Sequence, residues 1–177
     1  VWNQGESERF IFYDGPTNAS APIIVTQRNQ TLIVNKGAAP TDTELGSEQR
    51  TDWLISTPQT GPQINRQGLY VEIQGSNLRL VVVSVPDTNG SVELSTQTSS
   101  EVDAANQLRK MLVERGLTSA EADGLIEAWR PHFFRTDGAR FIMLMTPRDY
   151  DVLNPIRIRP APTELVRVGI ILTEFGS

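Results

Sequence analysis

The 177-residue chain has no cysteine and one histidine, His132. The first absence excludes a disulfide framework, a thiolate metal site and a cysteine nucleophile. The second limits imidazole chemistry to a single group. Lysine is nearly missing as well, because 14 of the 16 basic residues are arginine and only Lys36 and Lys110 are lysine. The formal charge of −5 argues against a nucleic-acid protein, whose footprint is a basic excess. Long apolar runs are also lacking. Leu80–Ser84 and Phe141–Met145 fall far short of the ~18 residues that cross a bilayer, so no membrane span is expected in the chain. No basic stretch followed by an apolar run opens the sequence, and no targeting peptide is expected within it. Neither a phosphate-cradling G-x-x-x-x-G-K nor a dinucleotide G-x-G-x-x-G occurs, so no cofactor is expected.

What is present describes a globular protein. Hydrophobic residues make up 38% of the chain and charged residues 21%, enough apolar surface to build a core. The length favours a single domain over residues 1–177. Short β-rich runs dominate residues 9–95: Arg9–Tyr13, closed by Asp14-Gly15-Pro16, then Pro22–Val25 and Thr31–Val34 as a hairpin. Residues 36–51 and 57–68 read as loops, with a short strand at Trp53–Ile55 between them. The strongest β signal is the alternation of Leu69, Val71 and Ile73 with Tyr70, Glu72 and Gln74. Gly75-Ser76-Asn77 turns the chain into a returning strand over Leu78–Ser84, and Ser91–Ser95 follows.

Helical spacing replaces alternation over residues 100–130. Ser99 or Ser100 caps a predicted helix carrying Val102, Ala105, Leu108, Leu112 and Val113 on one stripe. Gly116 stands where a helix exits through a left-handed residue. Thr118-Ser119-Ala120-Glu121 is a capping box for a second helix, with Ala122, Leu125, Ile126 and Trp129 on one side. Pro131 is expected to limit its end. Residues 139–174 return to β, with strands predicted at Ala139–Thr146, Leu153–Arg159 and Leu165–Thr173. Strands flanking one helical hairpin, without alternating βαβ units, imply an α+β fold. The expected architecture is a mostly antiparallel, sandwich-like sheet assembly with an inserted two-helix hairpin packed on it.

Chemistry-bearing residues are sparse. His132 lacks the G-x-S-x-G context of a hydrolase elbow, and its plainer reading is a helix-terminal histidine beside Pro131. Glu121, Asp123 and Glu127 lie on one helix, the first engaged by its cap. Asp149 and Asp151 could share a face, but two carboxylates fall short of a calcium ion's six or more oxygens, and no metal site is expected. The arginines Arg140, Arg148, Arg157, Arg159 and Arg167 form the densest cluster. Arg157 and Arg159 stand two apart on an extended segment and so share a face. Either they pair with Asp149 and Asp151 to pin a loop to the sheet, or they offer bidentate donors to an anionic partner.

The segment from Glu114 to Arg167 resembles a group of bacterial cell-envelope proteins that have no assigned activity. The matching residues are Glu121, Ala122, Trp129, Phe133, Phe134, Gly138, Arg140, Pro147, Arg148 and Asp151. Pro155, Pro160, Pro162, Arg167 and Val168 continue the pattern, and Phe10–Gly15 is similar to an upstream element of the same group. The resemblance implies an extracytoplasmic address and no mechanism. The expectation is therefore a non-enzymatic binding or structural module contacting a protein or cell-surface component. Its candidate binding residues are Arg148, Asp149, Asp151, Arg157, Arg159, Arg140 and His132. The alternative is a hydrolase of an envelope polymer or saccharide using His132 or the Asp149/Asp151 pair as acid and base.

Overall fold

A computed structural model of the chain describes residues 21–37, 66–86, 88–95, 97–147, 149–150, 159–160 and 165–176. The strands expected at Arg9–Tyr13 and Trp53–Ile55, and all but the last residue of Leu153–Arg159, lie outside these residues. Strands β1 (Ile23–Arg28) and β2 (Thr31–Lys36) form the expected hairpin, with Arg28 opposite Thr31. Their residues Ile23, Val25, Leu32 and Val34 are buried on one face, as period-two patterning requires. Strand β5 (Gly90–Glu93) pairs antiparallel with β2 and completes a three-stranded sheet of order β1-β2-β5.

The larger sheet grows from β3 (Gln67–Gln74) and β4 (Asn77–Ser84), joined by a two-residue turn. Gly75 takes φ +59° there, a left-handed conformation that a side chain would strain. Strand β6 (Thr98–Ser99) adds to β4, β7 (Gly138–Leu144) to β3, and β8 (Ile170–Phe175) to β7. The order is β6-β4-β3-β7-β8, antiparallel throughout. The sequence pattern did not reveal β6, a two-residue element with no periodicity to read. Of the predicted strand Leu165–Thr173, the ladder begins only at Ile170, so residues 165–169 stay outside it.

Helices α1 (Glu101–Glu114) and α2 (Ser119–Arg130) lie against this sheet as an antiparallel pair. Ser100 caps α1, its hydroxyl accepting the Asp103 amide. The chain leaves α1 through Gly116 at φ +103°. The Leu117 and Gly116 amides donate back to the Leu112 and Val113 carbonyls, at 3.3 and 2.9 Å, which satisfies the otherwise orphaned helix end. The capping box of α2 is complete in both directions. The buried stripe of α1 is Ala104, Leu108, Met111 and Leu112, while Val102 is 67% exposed. The predicted stripe was thus rotated toward solvent, because it counted valines at its margins and left out Met111. Pro131 does not end the helical path either. It opens a π turn over Pro131–Arg135, closed by the Thr136 amide on the Pro131 carbonyl at 3.0 Å. A proline at a first helical position loses only a donor, and its carbonyl still accepts.

The result is an α+β fold of three layers around two cores. Leu69, Val71, Ile73, Ile142 and Leu144 face the helices together with Leu108, Leu112, Ile126 and Phe134. Tyr70, Phe141 and Met143, the intervening residues of the same strands, and Val83 of β4 face Ile23, Val25, Leu32 and Val34 of the smaller sheet. Among the described residues no helix is long and apolar enough to cross a membrane.

Gly68 exists for packing rather than for its backbone angles. A Cβ there would come within 2.2 Å of the Phe141 ring. Gly68→Ala is expected to destabilise the protein by about 1–3 kcal/mol through overpacking. Combined with Phe141→Leu, it should cost clearly less than the two single changes added, because the shorter side chain gives way. Chemical denaturation of the four proteins of that cycle checks it, and additivity would place the ring away from Gly68.

Candidate functional site

A cleft of about 1020 Å3 opens between the two sheets. Its walls are Val25, Thr26 and Gln27 of β1 with Asn29 of the following turn, and the end of β8, from Thr173 to Gly176. The Glu72–Gly75 end of the β3–β4 hairpin and the segment Asp137–Ala139 complete it. Its polar lining comprises amides, hydroxyls and the three carboxylates of Glu72, Asp137 and Glu174, and no lysine or arginine lines it.

One wall is held by a polar network based on Tyr70. The Tyr70 hydroxyl accepts from Gln27 Nε2 at 2.9 Å and donates to Glu72 Oε2 at 3.2 Å. Arg79 Nη1 donates to the same Glu72 oxygen at 3.0 Å, and its guanidinium lies 5.6 Å from the centre of the Tyr70 ring. Arg79 also reaches the Leu94 carbonyl at 3.1 Å and the Gln30 side chain, which ties the large sheet to the β1–β2 turn. Burial, reinforced by the neighbouring Glu72 charge, pushes the Tyr70 hydroxyl above its ordinary 10.0, so it stays protonated and donating at neutral pH. The register of the hairpin explains the cluster. A turn centred between Gly75 and Ser76 sets Glu72 opposite Arg79, an opposite-charge cross-strand pair. The Asp137 carboxylate accepts the Gly75 amide at 3.2 Å, while Glu174 is exposed at the end of β8.

The residues singled out from sequence lie apart from this cleft. Arg140 is 2% exposed. Its guanidinium donates to the backbone carbonyls of His132 and Thr136, and at 3.1 and 3.3 Å to those of Asp137 and Gly138. These are the open carbonyls where the π turn runs into β7, so Arg140 closes a helical terminus and meets no carboxylate through a hydrogen bond. Burial lowers its pKa from the usual guanidinium value, with Glu174 and Asp137 acting against that shift. His132 is exposed, its ring 5.5 Å from that of Trp129. Asp149 forms an ion pair with Arg66 at 2.8 Å and accepts the Thr146 hydroxyl at 2.7 Å. Asp149 is thereby tied to the residue that precedes β3, through an arginine outside the cluster singled out from sequence. Arg159 is exposed. Arg148, Asp151 and Arg157 lie outside the described residues. The structure thus joins His132 to Arg140 through a backbone carbonyl and does not join Asp149 to either.

The cleft residues were missed by sequence reasoning, although a signal existed. Tyr70 and Glu72 occupy the second face of the most clearly alternating strand, and the turn position already implies the Glu72–Arg79 pair. Among the described residues no three histidine, aspartate or glutamate side chains are placed to hold a metal ion. A smaller hollow of about 440 Å3 shares Ile73 and Gly75 with the cleft and reaches the start of α1. There Glu101 accepts from Arg130 at 3.0 Å and from Arg135 at 3.1 Å, joining the start of α1 to the end of α2 and the π turn. No known protein family matches the chain, and comparison with curated proteins and with solved structures finds no match.

Two outcomes follow from these contacts. Arg140→Met should destabilise the protein by about 2–4 kcal/mol, because several buried carbonyls lose a charged donor. Arg140→Lys should recover only part of that, since an ammonium lacks the planar fork; thermal and urea denaturation measure both. The hydrogen bond from Arg130, then those from Arg135, hold the Glu101 carboxyl below its ordinary 4.5. A carboxyl depressed on folding stabilises above its unfolded-state value and loses that contribution as pH falls through the folded one. Glu101→Gln should therefore lower stability at neutral pH and flatten its decline below about pH 4.5. A parallel acid limb in wild type and variant would show that the ion pairs contribute nothing.

Proposed function

We propose that this chain is a binding or structural module working outside the cytoplasm, contacting a protein or cell-surface component without chemistry of its own. The observation that carries the reading is the inter-sheet cleft, whose polar groups are held in place by their neighbours. Glu72 is engaged by Arg79 and Tyr70, and Asp137 by the Gly75 amide. Fixed donors and acceptors in a cleft of this size favour recognition of a ligand's shape and charge. The groups nominated for acid–base work support the same reading. Asp149 is occupied by Arg66 and Thr146 and His132 does not line the cleft, while Asp151 lies outside the described residues. A general base needs hydrogen-bond reach to the proton it takes, and among the described residues no hydrogen bond joins His132 to Asp149. The extracytoplasmic address rests on the resemblance of the Glu114–Arg167 segment.

Purified protein incubated with soluble peptidoglycan fragments and β-linked glucans is expected to release no reducing ends above a boiled control. Turnover that disappears in Glu174→Gln or His132→Ala, at unchanged melting temperature, would replace this reading with the hydrolase. Fractionation of source cells should recover the protein with the envelope or the medium; recovery with the cytoplasmic fraction would overturn the address.

A further inference from the structure

The inner walls of the cleft carry a hydrogen-bond network whose charges are matched and whose donors are mostly in use. Gln27, Glu72, Gln74, Thr173 and Phe175 share the strand faces of Val25, Tyr70 and Phe141, which look between the sheets. Gln27 Nε2 donates twice, to the Asn29 carbonyl at 3.1 Å and to the Tyr70 hydroxyl at 2.9 Å. Gln74 donates to Glu72 Oε1 at 3.1 Å, and the other Glu72 oxygen receives Tyr70 and Arg79. Glu174 lies on the opposite face of the sheet, across the ladder from Arg140, whose charge also faces Asp137. Among the described residues the Oε1 atoms of Gln27 and Gln74 and the Thr173 hydroxyl have no hydrogen-bond partner. Each of these amides is fixed by its donating end, so its carbonyl oxygen stands as an oriented acceptor. Phe175 adds an aromatic surface, half-buried in the lining, with its ring centre 6.2 Å from that of Tyr70.

We propose that this wall of the cleft binds a neutral saccharide, its rings laid on Phe175 and its hydroxyls donating to Gln27, Gln74 and Thr173. This inference rests on the reading of the cleft as the binding site and names the chemistry of its occupant. Three observations select that chemistry. A cation would compete with Arg79 for Glu72, and an anion would be repelled by it, so the fitting ligand is uncharged. Oriented acceptors call for a ligand rich in donors, and a sugar ring carries a hydroxyl on most of its carbons. The Phe175 ring calls for a flat apolar surface, and the C–H face of a pyranose meets the negative face of an aromatic ring. The cleft of about 1020 Å3 has room for a short oligosaccharide, being at the upper end of ordinary ligand pockets. An extended peptide lacks the flat C–H face and offers a single backbone donor per residue.

The probes are cellotetraose and tetra-N-acetylchitotetraose, with tetragalacturonate as the anionic counterpart and end-blocked tetraalanine as an uncharged peptide. Calorimetry should show one of the neutral sugars binding with a dissociation constant below about 1 mM, unchanged between low and high salt. Tetragalacturonate should bind at least about tenfold more weakly. NMR shifts should fall on the side-chain amides of Gln27 and Gln74 and on the Phe175 ring. Gln74→Ala, at an exposed position, should weaken binding severalfold at unchanged melting temperature, and Phe175→Leu should weaken it further. Absence of binding by both neutral sugars at about 10 mM would overturn the proposal, because that concentration saturates any site of the expected affinity. Equal affinity for tetragalacturonate, or an affinity that falls with salt, would overturn the neutral class. Tetraalanine shifting these residues, with the sugars silent, would overturn the saccharide while leaving the cleft as the binding site. Sugar-induced shifts confined to α1, α2 or β6 would overturn both.

Discussion

The structure depends on the five-stranded sheet being dry on both faces. Its central strands β3 and β7 send alternate residues into two different cores, one closed by the helical hairpin and one by the smaller sheet. Neither cover can be removed without exposing a row of large apolar side chains, each worth roughly 1.5–3 kcal/mol when fully buried. The remaining elements serve that double burial. Gly68 leaves room for the Phe141 ring on one face. The capping box and the glycine exit make α1 and α2 short enough to fold back over the other.

Arg140 belongs to the same logic, although it is a charged group in the interior. A chain passing from a π turn directly into a buried strand leaves several carbonyls without amide partners. Burial of such groups is expensive unless a donor reaches them. A guanidinium is suited to the task because one planar head carries five donors. Glu101 performs the complementary service at the surface, holding the start of α1 to Arg130 and Arg135. The charged residues near the hairpin thus act chiefly as fasteners, and this leaves the inter-sheet cleft as the place where polar groups face a large open volume.

How much of this was legible in the sequence differed with the range of the physics involved. Short-range rules read well: the β3–β4 hairpin, the Ser100 cap, the capping box at Thr118 and the Gly116 exit are each set by a few neighbouring residues. The α+β class followed from the change of periodicity at Ser100. The helical stripe was misplaced because Val102 and Val113 are apolar by type but lie at the margin of the contact, whereas Met111 lies inside it. Pro131 lacks an amide, which points to a stop, yet its intact carbonyl accepts the Thr136 amide and the helical path continues as a π turn. The cleft was the least legible feature. It arises where β1 and β8, far apart in the chain, come to border one opening, and no local pattern announces that meeting. Glu72 with Arg79 was within reach, needing only the register implied by the turn, but the pairing of Asp149 with Arg66 spans 83 positions and has no local signature.

Separation by parity along β3 has an evolutionary consequence. Odd positions Leu69, Val71 and Ile73 answer to the helices, while even positions Tyr70 and Glu72 answer to the opposite layer. Selection therefore weighs the two series against different neighbours, the odd one against the helical cover and the even one against the smaller sheet and the Phe141 ring. One strand thereby answers to two separate packing demands, and an exchange that one layer accommodates need not disturb the other.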